Sequence, residues 1–255
     1  MAGVLLPGCG VKENRGPCPC TLKLDLSEAF AEGRGPLLLS LQGEDGFRHS
    51  DTLSADNFPD SVKEYSVRIP DGKVVMDVYS PYDCLDSPYE GYRPKEKCAA
   101  VWSQSEVFMT EGESARRKIV LQKNHCSLGV SFKGNAGAQY FIPVFRSSVD
   151  GYLPGGVLSA GSYSEQAELA ADGKFRLNLL RQRDASLMLD IYSTYSGTAG
   201  SPVLSVALGE HIAASGYDWN AAGLADLEIE VDLAMMEMEV KLGMWERIMR
   251  IDIGV

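Results

Sequence analysis

The sequence predicts an all-β protein built as two β-sandwich domains in tandem, and three observations carry that prediction. Apolar residues recur mainly with period two, helical periodicity is scarce, and 26 Gly and 12 Pro residues break the chain at short intervals. Short strands with turn signals every ~8–12 residues are the pattern of sandwiches and barrels. The chain has 255 residues, and single cores stop growing efficiently beyond roughly 250, so two domains fit.

Residues 1–17 read as a signal remnant and tether. Leu6-Pro7-Gly8-Cys9 resembles the end of a bacterial lipoprotein signal, with Leu at −3 and a small residue at −1, which makes Cys9 the candidate lipidated residue of a longer precursor. An ordinary terminus with an accidental cysteine is the bland reading of the same residues. Gly10 to Pro17 is polar and without periodicity, as a flexible spacer would be.

The first sandwich is expected over 18–124. Leu22, Leu24 and Leu26 alternate with Thr21, Lys23 and Asp25, and Leu37 to Leu41 is a short apolar run. Tyr65, Val67 and Ile69 lead through Pro70-Asp71-Gly72 into Val74, Met76 and Val78, which predicts a hairpin because Asp-Gly suits turns with positive φ. Strands are also expected near Trp102–Met109 and over Arg117–Lys123. The second sandwich, 125–255, takes strands at 126–132, 140–145, 173–180, 187–192, 202–208, 227–232, 236–242 and 248–253. Leu208 to Ala214 suits a short helix, and Ser162–Ala171 suits a turn or two of one.

Composition narrows the function. Against 35 acidic side chains stand 24 basic ones, a net charge of −11 with no basic patch, which argues against a nucleic-acid partner. No apolar run approaches the ~20 residues a spanning helix needs. The chain carries no Gly-x-Ser-x-Gly elbow, no phosphate-binding Gly-x-x-x-x-Gly-Lys-Ser/Thr and no His-Glu-x-x-His. His49, His125 and His211 lie in unrelated settings, so no catalytic or metal triad is expected. The acidic positions Glu228, Glu230, Asp232, Glu237 and Glu239 fit a solvated sheet face better than a calcium loop. No cofactor, metal or catalytic residue is predicted, and the chain is not read as an enzyme.

Six cysteines make an oxidising compartment plausible. Cys84 and Cys98 bracket a loop of Pro, Tyr and charge, and a bridge there would stabilise by roughly 3 kcal/mol on the loop-entropy view. The preferred pairing is Cys84–Cys98, with Cys18 or Cys20 reaching Cys126, although the sequence alone leaves the pairing open. Tyr89 and Tyr92, with Tyr82 and Trp102 nearby, make the 85–97 loop a candidate binding surface; packing over the sandwich end is the competing reading.

Several segments together carry a family resemblance. They are Cys18-Pro19-Cys20 with Leu22, Leu24-Asp25-Leu26-Ser27; Pro36-Leu37-Leu38-Leu39-Ser40; Asp45-Gly46-Phe47-Arg48; Lys123-Asn124-His125-Cys126-Ser127-Leu128; and Leu208 to Trp219. With Trp245 and Ile251-Asp252-Ile253, the chain from about Cys9 onward resembles the fimbrial anchor subunits of type V fimbriae, the FimB and Mfa type. The resemblance implies two transthyretin-like β-sandwiches in a lipoprotein of the outer membrane, at the base of a fimbrium, that ends shaft growth. Its implied partners are the outer membrane, through lipid on Cys9, and a fimbrial stalk subunit.

In such assemblies a strand of one subunit completes the sheet of the next. An anchor that keeps its first strand, here about Thr21–Leu26, would have no open groove. Arg15 and Arg34 are the candidate cleavage points for an arginine-specific protease, and a cut after Arg34 would remove that strand. The C-terminal strand region, with Arg247, Met249, Ile251 and Ile253, is the candidate contact to the first stalk subunit. The alternatives are a stalk or tip subunit, or a surface adhesin binding glycan or host protein through the 85–97 loop.

Overall fold

The computed structural model describes residues 19–31, 34–59, 63–95, 97–133, 140–195, 197–232, 237–242 and 247–252. The described residues form four sheets, packed as two sandwiches, and the all-β tandem expectation holds.

In the first sandwich, β1 (Cys20–Asp25) is the central strand of a three-stranded sheet. It runs antiparallel to β4 (Glu64–Ile69) and parallel to β7 (Ser114–Lys118). The alternation seen in the sequence is realised: Cys20, Leu22 and Leu24 are wholly buried while Lys23 faces out. The opposing sheet has the order β3 (Arg48–Leu53), β2 (Leu37–Gly43), β5 (Gly72–Ser80), β6 (Trp102–Thr110), β8 (Gln122–Lys123). Leu39, Leu41, Met76 and Val78 meet the β1 leucines between the sheets. Each such buried side chain contributes about 2 kcal/mol. A one-turn helix, α1 (Ser27–Ala31), follows β1.

The second sandwich repeats this plan. Its first strand, β9 (His125–Phe132), is again internal to its sheet, antiparallel to β13 (Phe175–Leu180) and parallel to β16 (Leu227–Asp232). Here the sheet continues outward through β17 (Glu237–Leu242) to β18 (Arg247–Asp252), and on the other side ends at β12 (Glu168–Leu169). The facing sheet has the order β11 (Val157–Gln166), β10 (Phe141–Leu153), β14 (Met188–Ser193), β15 (Leu204–Val206). Helix α2 (Leu208–Ala214) closes one end with Leu208 and Ile212 buried.

Three expectations are corrected. Pro70-Asp71-Gly72 does not close a hairpin: β4 pairs with β1 and β5 pairs with β2 and β6, so the chain turns a corner between sheets. The Thr110 hydroxyl fixes that corner, 2.8 Å from the Pro70 carbonyl and 2.9 Å from that of Gly72. Arg117–Lys123 is not one strand. The chain leaves the first sheet at Lys118, buries Ile119 and Leu121, and joins the second as β8. Ser162–Ala171 is not helical, because its first part pairs along β10 as β11.

Candidate functional site

The first candidate is the position of β1. Its register runs from Cys20 opposite Ile69 to Asp25 opposite Glu64 on one side, and from Thr21 to Asp25 along β7 on the other. The Thr21 N–H donates to the Glu113 carbonyl at 2.9 Å, and the Ile119 N–H to that of Asp25 at 2.9 Å, extending the parallel ladder at both ends. Downstream, the Arg34 guanidinium lies 3.5 Å from the centre of the Trp102 ring and donates to the Leu121 carbonyl at 3.2 Å. Arg34 is thus engaged by the sandwich that a cut at this point would open. Cys9, Arg15 and Cys18 lie outside the described residues.

The second candidate is the C-terminal strand. Arg247, Met249 and Ile251 stand on β18 in antiparallel register with Leu242, Val240 and Met238 of β17. Ile253 lies outside the described residues. Among the described residues β18 is the edge of its six-stranded sheet. Of the other edges, the ten-residue β11 is long and carries one charged residue, whereas β8 and β12 have two residues each, β15 has three, and β7 presents Arg116 and Lys118. Natural edges are blunted in these ways against unwanted strand pairing.

The 85–97 loop departs from its expected role. Tyr92 is 1 % exposed and packs on Tyr152, exchanging two main-chain hydrogen bonds of 2.8 Å with it. Its hydroxyl accepts the Ala99 N–H at 2.8 Å. The crossing is so close that a Cβ on Gly91 would stand 2.0 Å from the Tyr152 carbonyl oxygen, so only glycine fits. Tyr92 is therefore a structural pin and not part of an exposed binding surface. Tyr89 is half-buried against the first sandwich, its hydroxyl donating to Ser50 Oγ at 3.1 Å and its ring beneath Arg48.

The cysteines are also redistributed. Cys20 and Cys126 are separate thiols, each wholly buried in a different core, so the expected bridge between them is not formed. Burial pushes both thiols up, Cys126 to about 12, which keeps it protonated and unreactive. Cys98 is buried beside Tyr92, and the Cys84 side chain lies outside the described residues, so the Cys84–Cys98 pairing stands as an expectation.

Between the sandwiches lies a joint that the sequence reading missed. The β10–β11 hairpin reaches onto the outer face of the β2–β8 sheet, where the Gly155 N–H donates to both Asp77 carboxylate oxygens, at 3.0 and 3.1 Å. The Ser105 hydroxyl donates to Asp77 at 2.5 Å. Asp77 is 1 % exposed, and burial raises its carboxyl above the usual range despite these donors. A second carboxylate, Glu165 of β11, accepts the Cys98 N–H at 2.9 Å and the Tyr163 hydroxyl, and is likewise raised by burial. A lone Asp within the apolar run Val74 to Tyr79 was the available sequence signal for this contact.

Asn124 is the centre of the joint. Its side-chain amide donates to Ser103 Oγ at 2.6 Å, its carbonyl accepts the Tyr152 hydroxyl at 2.7 Å, and its side-chain oxygen accepts Arg181 Nε at 2.7 Å. The remaining Arg181 donors reach the carbonyls of Trp219, Ala221 and Ala222. A polar cleft of about 230 Å³ opens here, between Ser103, Gln122, Gly156 and Asn220.

The three histidines do not converge. His49 meets the Tyr65 hydroxyl, buried His125 sits against the Val101 carbonyl with its pKa lowered by burial, and His211 stands on α2. No group of three or more metal-ligating side chains occurs among the described residues. The acidic stripe is a solvated face balanced by cations: Lys133 lies 2.7 Å from Glu230, and Lys174 lies 2.8 Å from Glu228.

No protein-family model matches the chain, and no curated protein matches it. Solved structures do. The chain is similar to the fimbrial anchor protein Mfa2 from Porphyromonas gingivalis, with a TM-score of 0.61 and 12% identity over 89% of this chain and 98% of that one. It is also similar to a candidate polysaccharide-binding protein from Bacteroides thetaiotaomicron, at 0.63 and 12% over 92% and 98%. For a candidate adhesin from Bacteroides ovatus the values are 0.62 and 9%, over 94% and 97%. At these identities the likeness establishes a common fold over nearly the whole of each chain.

Proposed function

We propose that this chain is the anchoring, growth-terminating subunit of a surface fimbrium, held to the outer membrane by lipid on Cys9. The observation that carries the reading is the occupied centre of the first sheet. With β1 between β4 and β7, the position that an incoming strand would fill is taken by the chain's own residues. A subunit in this state ends a polymer that grows by strand complementation. The C-terminal strand, with Arg247, Met249, Ile251 and Ile253 alternating along it, joins the first stalk subunit. The fold shared with a fimbrial anchor protein supports the same reading.

The adhesin alternative draws support from the names of two structural neighbours, but burial of Tyr92 removes half of the loop pair first assigned to it. A stalk or tip subunit is separated from an anchor by its mature N-terminus. Mass spectrometry of protein extracted from outer membranes is expected to find acylated Cys9 and an intact β1. A mature chain starting after Arg15 or Arg34 would overturn the anchor assignment.

A further inference from the structure

Tyr195 is 86 % exposed and Tyr140 is 42 % exposed, yet their rings form an ordered pair, 6.0 Å between centres and 10° from parallel. The backbone beneath them is fixed. The Thr194 N–H donates to the Tyr140 carbonyl at 3.0 Å, the Gly197 N–H to that of Ser193 at 2.9 Å, and the Tyr195 N–H to Ser193 Oγ at 3.3 Å. These bonds leave a large aromatic ring in water, where it contributes little to the core.

The surroundings are unusual for this chain. Although 23% of its residues are charged, none lies between Ile191 and Gly209, and none between Tyr140 and Phe145. The turn presents Thr194, Thr198 and Ser201 to solvent instead. Aromatic rings offering a flat apolar face beside uncharged hydroxyls match one ligand chemistry well. A pyranose ring presents C–H groups on one face and hydroxyls on its rim. The net charge of −11 disfavours an anionic glycan beside two segments that themselves carry no cation.

We infer that Tyr140 and Tyr195 form a stacking platform for a neutral saccharide at the end of the second sandwich. The inference is independent of the anchor assignment, since the platform lies on neither β1 nor β18. Rigid tyrosines flanked by small polar residues supply contact area at low entropic cost.

The test uses the purified full chain on an array of neutral glucans, mannans and galactans, with sialylated and sulfated glycans alongside. Binding to at least one neutral glycan is expected, unchanged between about 0.05 and about 0.5 M salt because no ion pair contributes. Tyr195→Ala is expected to weaken it about tenfold without changing the thermal midpoint, while Tyr195→Phe stays within about threefold because the ring face is kept. Absence of neutral-glycan binding overturns the proposal, as does retention confined to charged glycans. It also fails if Tyr195→Ala binds glycan like the parent, or if that variant instead loses binding to a stalk subunit.

Discussion

Asp77 is a carboxylate placed where water does not reach, and its geometry explains how the fold tolerates it. Three hydrogen bonds, one from Ser105 and two from the Gly155 N–H, face its two oxygens. They do not offset desolvation fully, since the carboxyl of Asp77 is raised, as is that of Glu165. An acid whose folded pKa lies above its unfolded value of about 3.9 for Asp or about 4.3 for Glu stabilises the fold below that value. The contribution is lost as pH rises through the folded pKa. These two groups should therefore make the protein more stable as pH falls from neutral through their raised folded pKa toward about 4. Asp25, Asp172, Asp184 and Glu230, held below the usual range, act in the opposite sense at more acidic pH. Asp77→Asn keeps an acceptor for Gly155 and Ser105 and removes the buried charge, so its stability at neutral pH should stay within about 1 kcal/mol of the parent. Asp77→Ala leaves both donors unanswered and should cost about 1–3 kcal/mol. Urea unfolding at both pH values checks this. An Asp77→Asn, Glu165→Gln double variant with the parent's full pH response would show that the stabilisation arises elsewhere.

The elements show why some of this architecture was legible and some was not. Period-two alternation located β1 and β16 closely, because alternate residues of each are buried in a core while those between them are partly exposed. Alternation says nothing about which sheet a strand joins. The Asp71-Gly72 corner and the Lys118-to-Gln122 crossing both look local in sequence, yet each passes between sheets because the residues on either side bury against different partners. Polar β3 and β11 were missed because edge strands lack an apolar stripe. The repeat of the central first strand, antiparallel to one neighbour and parallel to the other, is likewise invisible in residue identities. Comparing the two halves isolates the β17–β18 pair as an addition beyond β16, where the first sandwich stops at charged β7. At this scale Arg34 gives a direct check. An arginine-specific protease must withdraw its side chain from Trp102 and Leu121 before cutting, so β1 should remain attached in the native protein. Trp102→Ala should speed cleavage after Arg34 by about tenfold if the lost contact is worth about 1.4 kcal/mol. Timed digestion followed by N-terminal sequencing measures it, and equal rates in both proteins would rule out this protection.

For the whole molecule, the question is whether two sandwiches behave as one body. The buried residues form two large cores, one drawn from Cys20 to Leu121 and the other from Cys126 to Met238. A third cluster bridges them, with Tyr79, Tyr92 and Val101 on one side and Val149, Tyr152 and Leu180 on the other. Around it the polar joint is made by Asn124, Tyr152, Arg181, Asp77 and Gly155. Under the anchor role proposed above, such coupling would keep the two sandwiches aligned while the subunit bears load. Arg181 is its most connected side chain, binding Asn124 and three carbonyls of the 219–222 segment. Charge-assisted hydrogen bonds of this kind are worth about 1.5–3 kcal/mol, and the one to Asn124 ties the second sandwich to the end of the first, so removing Arg181 should loosen the joint before it unfolds either core. The parent should melt in one calorimetric transition, and Arg181→Ala in two, with the earlier one lowered by several degrees. Arg181→Lys, which keeps the charge but not the planar fork, should fall between them. If Arg181→Ala still melts in a single transition at the parent's midpoint, the coupling resides in the aromatic cluster. Tyr152→Phe then becomes the informative variant, because it removes the hydroxyl shared by Asn124 and the Arg181 N–H while keeping the ring against Tyr92.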